Sequence, residues 1–181
     1  CAQTSIQTDS NSVIAQGELP GAEKVIYLGN GCICCSRRDD LVALVEDLAL
    51  SGNYDHLLIE ATAVSEPIPV AMAFEMVTPH SRLLSDVAHT EALVTVVDAF
   101  HFFEDWNGAK ELTDLGLALD KEDNRTVADL LAEQVEFADV IVLNKLDLVS
   151  DQRRDRLTRF LSLLNPDARI VDSWFGTIDS E

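Results

Sequence analysis

A chain of 181 residues with 47% hydrophobic and 25% charged side chains can bury one sizeable core, which excludes a largely disordered polypeptide. Its 32 acidic residues against 13 basic ones give a net charge of −19, a surface that repels phosphate backbones and anionic headgroups, so no nucleic acid and no membrane is expected as a partner. No apolar run is long enough to span a bilayer, and Cys1 to Ser5 lacks the basic and apolar regions of an export signal.

In chain order, residues 1–22 are polar and rich in Ser, Thr, Gln and Gly, and read as loop or a poorly ordered terminus. A short strand is predicted over Lys24–Leu28, closed by Gly29-Asn30-Gly31. Leu41, Leu44, Val45, Leu48 and Ala49 recur at helical spacing, so a helix is predicted from about Ser36–Arg38 to Leu50, ended by Gly52. Tyr54–Glu60 reads as a buried strand, Ala61–Glu66 as a turn, and Pro67–Val77 as a helix with proline in its first turn. Glu91–Val97 is a strand ending at Asp98, and residues 99–124 carry little pattern. Thr126–Phe137 is a helix, and Asp139–Leu143 a third buried strand. Ser150 caps a helix through Leu164, and Ala168–Val171 is a last short strand. Continuous Val, Ile and Leu strands alternating with helices predict an α/β fold, a mostly parallel sheet with helices on both faces. Ligands of such sheets sit at the carboxyl ends of strands.

Three of the four cysteines fall within four residues, Cys32, Cys34 and Cys35, which fits a metal or redox site in a reducing, cytoplasmic compartment better than a disulfide framework. Thiolates are preferred ligands of zinc and other soft or borderline metals. Cys32 and Cys34 can point the same way in extended backbone, and Cys35 can join as the chain turns. Three sulfurs leave a fourth position free, which suits a site that must release its metal. A buried apolar cysteine pair is an alternative, as is a closed zinc site completed by Cys1 or a histidine. Thiol redox chemistry would want a C-x-x-C spacing that is not present.

Asn144-Lys145-Leu146-Asp147 follows a buried strand. A carboxylate at Asp147 can accept both the ring N–H and the exocyclic amine of guanine, a donor pair that adenine lacks. Asn144 can bond a base edge, and the Lys145 stem can lie along the ring face. The bland alternative is a plain strand-to-helix turn. Glu60, leading Glu60-Ala61-Thr62-Ala63, ends another strand, where a carboxylate can hold a magnesium-bound water or simply be solvated. Asp98 is either a weaker version of the same or a cap. His56, His80, His89 and His101 have no metal spacing among themselves, and Phe100, Phe102, Phe103 and Trp106 read as core. No G-x-x-x-x-G-K-[ST] occurs, and Gly17–Lys24 has the wrong spacing for one.

These residues resemble the CobW family of metal-handling P-loop GTPases, relatives of the urease and hydrogenase nickel-insertion GTPases. The resemblance runs from about Val25 to Asp179 and rests on an ordered set of motifs. These are Gly31-Cys32-Ile33-Cys34-Cys35, Leu58-Ile59-Glu60-Ala61-Thr62-Ala63 with Ser65-Glu66-Pro67, and Val96-Val97-Asp98-Ala99. Glu133 to Asp139, the Asn144–Asp147 string and Asn165-Pro166-Asp167-Ala168 complete it. It implies a P-loop NTPase-like fold in which residues 23–181 form a GTPase-like nucleotide-binding domain and residues 1–22 a switch-like segment. It also implies GTP hydrolysis with Mg2+, with Glu60 as the catalytic carboxylate. Asn144, Lys145, Asp147, Thr62 and Ala63 would contact the nucleotide. Zn2+ or Co2+ would bind at Cys32, Cys34 and Cys35 for delivery to a client metalloprotein. Ala63 stands where many members have the glycine whose N–H faces the γ-phosphate, which implies slower or differently gated hydrolysis. The family would place the phosphate loop upstream of Cys1, so a chain truncated at its N-terminus is expected, as is the absence of the family's separate C-terminal domain. The competing function is a non-enzymatic zinc-binding module without a phosphate site. Oligomeric state is left open.

Overall fold

The computed structural model describes residues 14–17, 25–28, 38–61, 65–108, 110–115 and 124–178. The chain divides into two compact units, residues 1–61 with 69–89, and residues 62–68 with 90–181.

In the first unit, β1 (Ile14–Gly17) pairs antiparallel with β2 (Val25–Leu28), in a register that sets Ile14 opposite Leu28 and Gly17 opposite Val25. β1 lies within the stretch read as loop from composition. Helix α1 (Arg38–Ser51) matches the predicted helix. Asp39 and Asp40 in its first turn complement the helix dipole, and Gly52, at φ 65°, follows its last residue in the left-handed conformation that glycine takes without penalty. The buried stripe of α1 is Leu41, Val42, Val45 and Glu46, rotated slightly from the predicted one. Those apolar residues form a core with Ala73, Phe74 and Leu84, joined by Ile59, Val70 and Met76. Helix α2 (Pro67–Ala73) begins on its proline as expected and ends four residues short of Val77, which instead bridges Leu83. The boundary between the units falls within α2.

Tyr54–Glu60 is not a strand. Leu57 is 49% and Leu58 91% exposed. A continuous apolar run becomes a buried strand only where neighbouring backbones pair with it, and this segment has no ladder partner among the described residues.

The second unit is built on a parallel sheet of order β3-β4-β5, with β3 (Val94–Asp98), β4 (Val140–Asn144) and β5 (Arg169–Asp172). Val94 lies opposite Val140, Asp98 opposite Asn144, and Leu143 opposite Asp172, so the three strands end level. The central strand buries Ile141, Val142 and Leu143 in succession, as a strand covered on both faces does. On β3, Val97 is buried while Val94 and Val96 are exposed. Helix α3 (Phe102–Asn107) arises in the stretch left without pattern. Helix α4 (Val127–Glu136) starts at Thr126, whose hydroxyl accepts from the Asp129 N–H while the Asp129 carboxylate accepts from the Thr126 N–H. Helix α5 (Asp151–Leu164) is capped by Ser150 as predicted. Leu157 and Leu161 of α5 and Val135 of α4 pack on Ile141 and Leu143. Phe102 completes this core at 3% exposure, with Phe103, Trp106 and Phe160 against it, in line with the core reading of those aromatics; Phe100, also read as core, is exposed instead. No described helix is long and apolar enough to cross a membrane.

Candidate functional site

The level ends of β3, β4 and β5 gather the polar groups of the second unit. The chain leaves β4 at Asn144 and turns through Lys145, which takes the left-handed conformation (φ 64°, ψ 33°), into a single 3-10 turn over Leu146–Leu148. Alternation does the rest. Leu146 is 6% exposed and joins the core, and its N–H donates to the Ser173 carbonyl at 3.3 Å. Lys145 and Asp147 on either side of it are exposed. The apolar residue therefore anchors a turn whose two charged residues face outward.

Asn144 is held by the loop after β5. Its side-chain oxygen accepts from Ser173 Oγ and from the Gly176 N–H, both at 3.1 Å. The second contact identifies that atom as the oxygen, because a backbone N–H can only donate. The amide nitrogen of Asn144 has no partner among the described residues, and neither does the Asp147 carboxylate. An amide donor and a carboxylate acceptor pair, both unengaged and three residues apart on one anchored turn, match the mixed donor–acceptor edge of guanine.

Lys145 is held from the other side. Its Nζ donates to Asp98 Oδ2 at 2.7 Å across the β3–β4 boundary. Asp98 also accepts from the backbone N–H groups of Phe100 and His101, and its Oδ2 meets His101 Nδ1 at 2.9 Å. Burial opposes its ionisation. The Lys145 ammonium, the His101 ring and the two N–H groups outweigh that and hold its carboxyl well below the usual carboxylate range. Asp98 is thus the cap that the sequence reading allowed, and in addition the anchor of Lys145.

Elsewhere in the second unit two further motifs meet. The Gln134 side-chain amide donates to the Ser65 carbonyl at 3.1 Å, and Arg125 pairs with Glu66. Burial raises the Glu133 carboxyl above its ordinary value, as does the charge of Glu66, against the smaller pull of Arg125.

Asn144 stands at the carboxyl end of β4, and Lys145 and Asp147 in the turn that follows it. Glu60 is exposed in the first unit. Cys32, Cys34, Cys35, Thr62 and Ala63 lie outside the described residues. Among the described residues no group of three His, Cys, Asp or Glu side chains could hold a metal ion. Sequence reasoning missed Ser173 and Gly176 as supports of Asn144. Their one signal is position, directly beyond the last predicted strand.

The sequence matches the family model described as CobW/HypB/UreG, nucleotide-binding domain, over residues 2–172. It is 39% identical over 152 residues to the zinc-regulated GTPase metalloprotein activator 1 of Dictyostelium discoideum, covering 83% of this chain and 32% of that protein. The protein of the same name from Schizosaccharomyces pombe is 28% identical, over 87% of this chain and 33% of its own length. The zinc chaperone CobW of a Sinorhizobium species is 33% identical, over 70% of this chain and 36% of its own length. The chain thus spans about a third of the length of these relatives. No solved structure matches it. With its parallel sheet and the Asn144–Asp147 turn at the strand ends, the chain belongs to the CobW/HypB/UreG family, through its nucleotide-binding domain.

Proposed function

We propose that this chain is the nucleotide-binding part of a GTP-dependent zinc chaperone, which binds and hydrolyses GTP and hands zinc to a client metalloprotein. The observation that carries the reading is the state of Asn144 and Asp147: among the described residues, one amide has its oxygen engaged and its nitrogen unengaged, beside one carboxylate with no partner. Asp147 accepts the ring N–H and exocyclic amine of guanine, Asn144 donates to the base, and the Lys145 stem lies along the ring. Glu60 is the carboxylate assigned to the magnesium-bound water, and Thr62 and Ala63 the backbone assigned to the phosphates. The donor set Cys32, Cys34 and Cys35 suits zinc as cargo, because three thiolates bind it strongly and leave one position for a receiving ligand. The relatives named for zinc-regulated GTPase activity and zinc chaperoning support both halves. If nucleotide state changes zinc affinity, zinc changes nucleotide affinity by the same factor.

Calorimetry tests the two halves separately. The full-length protein is expected to bind GDP and to ignore ADP. Asp147→Asn should shift its preference from guanine to xanthine, because the amide replaces one acceptor by a donor. Equal affinity for GDP and ADP would defeat the guanine assignment. Cys34→Ser should weaken zinc binding. Zinc binding by a full-length protein that ignores every guanine nucleotide would instead identify a non-enzymatic zinc-binding module.

A further inference from the structure

Three features outside the assigned residues converge on the loop after β5. Phe175 is 84% exposed. It also sits at φ 52°, a left-handed conformation that costs an L-residue with a bulky side chain and that glycine occupies freely. It is followed by Gly176 at φ 75°, and the two form the centre of a tight turn closed by hydrogen bonds between Trp174 and Thr177 at 2.8 and 3.1 Å. Consecutive positive φ values ask for Asn-Gly or Gly-Gly at such a turn. An exposed phenylalanine in the first of these places gains nothing from burial and strains its own backbone. The turn is also fixed to the site, because the N–H of Gly176 holds the side-chain oxygen of Asn144.

We infer that Phe175 is the aromatic partner on which the nucleobase stacks, an affinity-determining residue of the nucleotide site proposed above. The inference rests on that reading. Asn144 ends the central strand. Lys145 reaches from it toward the end of β3 through its bond to Asp98, and the Phe175 turn stands beyond the end of β5. Asn144 is thus flanked by Lys145, which is tied to Asp98, and by the turn that carries the exposed Phe175, which is tied to it through the Gly176 N–H. Strained, exposed residues persist where a ligand gives them a use, and every base has a face that an aromatic ring can cover. Edge recognition by Asn144 and Asp147 selects guanine, and stacking on Phe175 supplies affinity common to any base held in that plane.

Phe175→Gly separates this role from a structural one. Glycine relieves the left-handed strain and keeps the turn and its N–H to Asn144, so the melting temperature should hold or rise. Affinity for GDP should nevertheless fall, by about tenfold if one stacked base is lost. The factor should be the same for GMP as for GDP, because the ring touches the base and not the phosphates. Phe175→Trp should restore wild-type affinity. A wild-type chain that binds GDP while Phe175→Gly binds it equally well overturns this inference alone. A wild-type full-length protein that binds no guanine nucleotide defeats the proposed function, and this inference with it.

Discussion

Ser173 Oγ donates to the side-chain oxygen of Asn144 at 3.1 Å, and Ser173 is itself fully buried while Asn144 is half-buried at the strand end. The contact fixes which way the amide faces. Ser173→Ala leaves the Gly176 N–H as the only group among the described residues holding that oxygen, so Asn144 gains freedom without losing its place. A single neutral hydrogen bond contributes about 1 kcal/mol, and the variant should lose about that much stability in urea unfolding. Guanine-nucleotide affinity should fall about threefold to fivefold, measured by titration with GDP, since part of the binding energy is now spent ordering Asn144. Affinity equal to wild type would show that the amide is oriented without Ser173.

Glu46 is a fully buried carboxylate on α1, and it is satisfied from a distant loop. Thr78 Oγ1 donates to it at 2.6 Å, His80 Nδ1 lies at 2.9 Å and Arg82 Nε at 3.5 Å. Burial raises its pKa, and these partners more than reverse that, so the folded value lies below the ordinary 4.5. A depressed carboxylate contributes stability that is complete above its unfolded pKa and is lost as pH falls through the folded one. Glu46→Gln should therefore lower the melting temperature by several degrees near neutral pH. The gap to wild type should narrow as the pH is taken below about 4.5, where Glu46 begins to protonate on unfolding. Melting curves at several pH values check this; a gap that stays constant down to pH 3 would remove the charge from the explanation.

Much of this was legible in advance because the pattern was local. Val140–Asn144 with Lys145 to Asp147 shows a buried strand and a polar exit in consecutive residues, and Thr126 and Ser150 announce their helices by cap chemistry. Glu46 was not legible, because a glutamate on an amphipathic helix reads as solvent-facing until residues 32 to 36 positions away come back to meet it. Tyr54–Glu60 misled in the other direction. Its run of apolar residues is strand-like, but a strand is a relation between segments, and composition cannot supply the neighbour. Ser173 and Gly176 matter to the candidate site only through the turn geometry that brings them to Asn144. The cysteine triplet, the most specific string in the sequence, lies outside the described residues.

Glu133 behaves oppositely to Glu46. Burial and the nearby Glu66 charge raise its pKa above 4.5, with Arg125 only partly compensating. A raised acid binds protons more readily folded than unfolded, so stability falls as pH rises from about 4.5 through the folded value. Glu133→Gln removes the repulsion and keeps the shape, so it should stabilise the chain at pH 7, by up to about 1 kcal/mol for this half-buried site. The advantage should vanish near pH 4, where the carboxyl is protonated in both states. A Glu133→Gln chain less stable than wild type at pH 7 would show that the carboxylate makes a favourable contact that outweighs its repulsion.

Asn165 joins the end of α5 to the end of α4 with every polar atom used. Its amide nitrogen donates to the carbonyls of Val135, Glu136 and Ala138 at 2.8, 3.1 and 2.9 Å, and its oxygen accepts from the N–H groups of Asp167 and Ala168. Three carbonyls at a helix terminus need a donor, and at 8% exposure water has little access to replace one. Asn165→Ala strands the Glu136 and Ala138 carbonyls, while that of Val135 keeps the Ala138 N–H, and should cost about 2–3 kcal/mol. Asn165→Asp is the sharper substitution. It preserves size and the acceptor toward Asp167 and Ala168, but turns the donor into a second acceptor facing three carbonyl oxygens. The aspartate must then either remain charged against them or bind a proton. The variant should be less stable than Asn165→Ala at pH 7 and regain stability as the pH falls, because a protonated carboxyl can again donate. Chemical unfolding of the two variants at pH 7 and pH 5 distinguishes the cases. If Asn165→Asp is as stable as wild type at both, the nitrogen's donation to α4 contributes little, and the site is held by the oxygen alone.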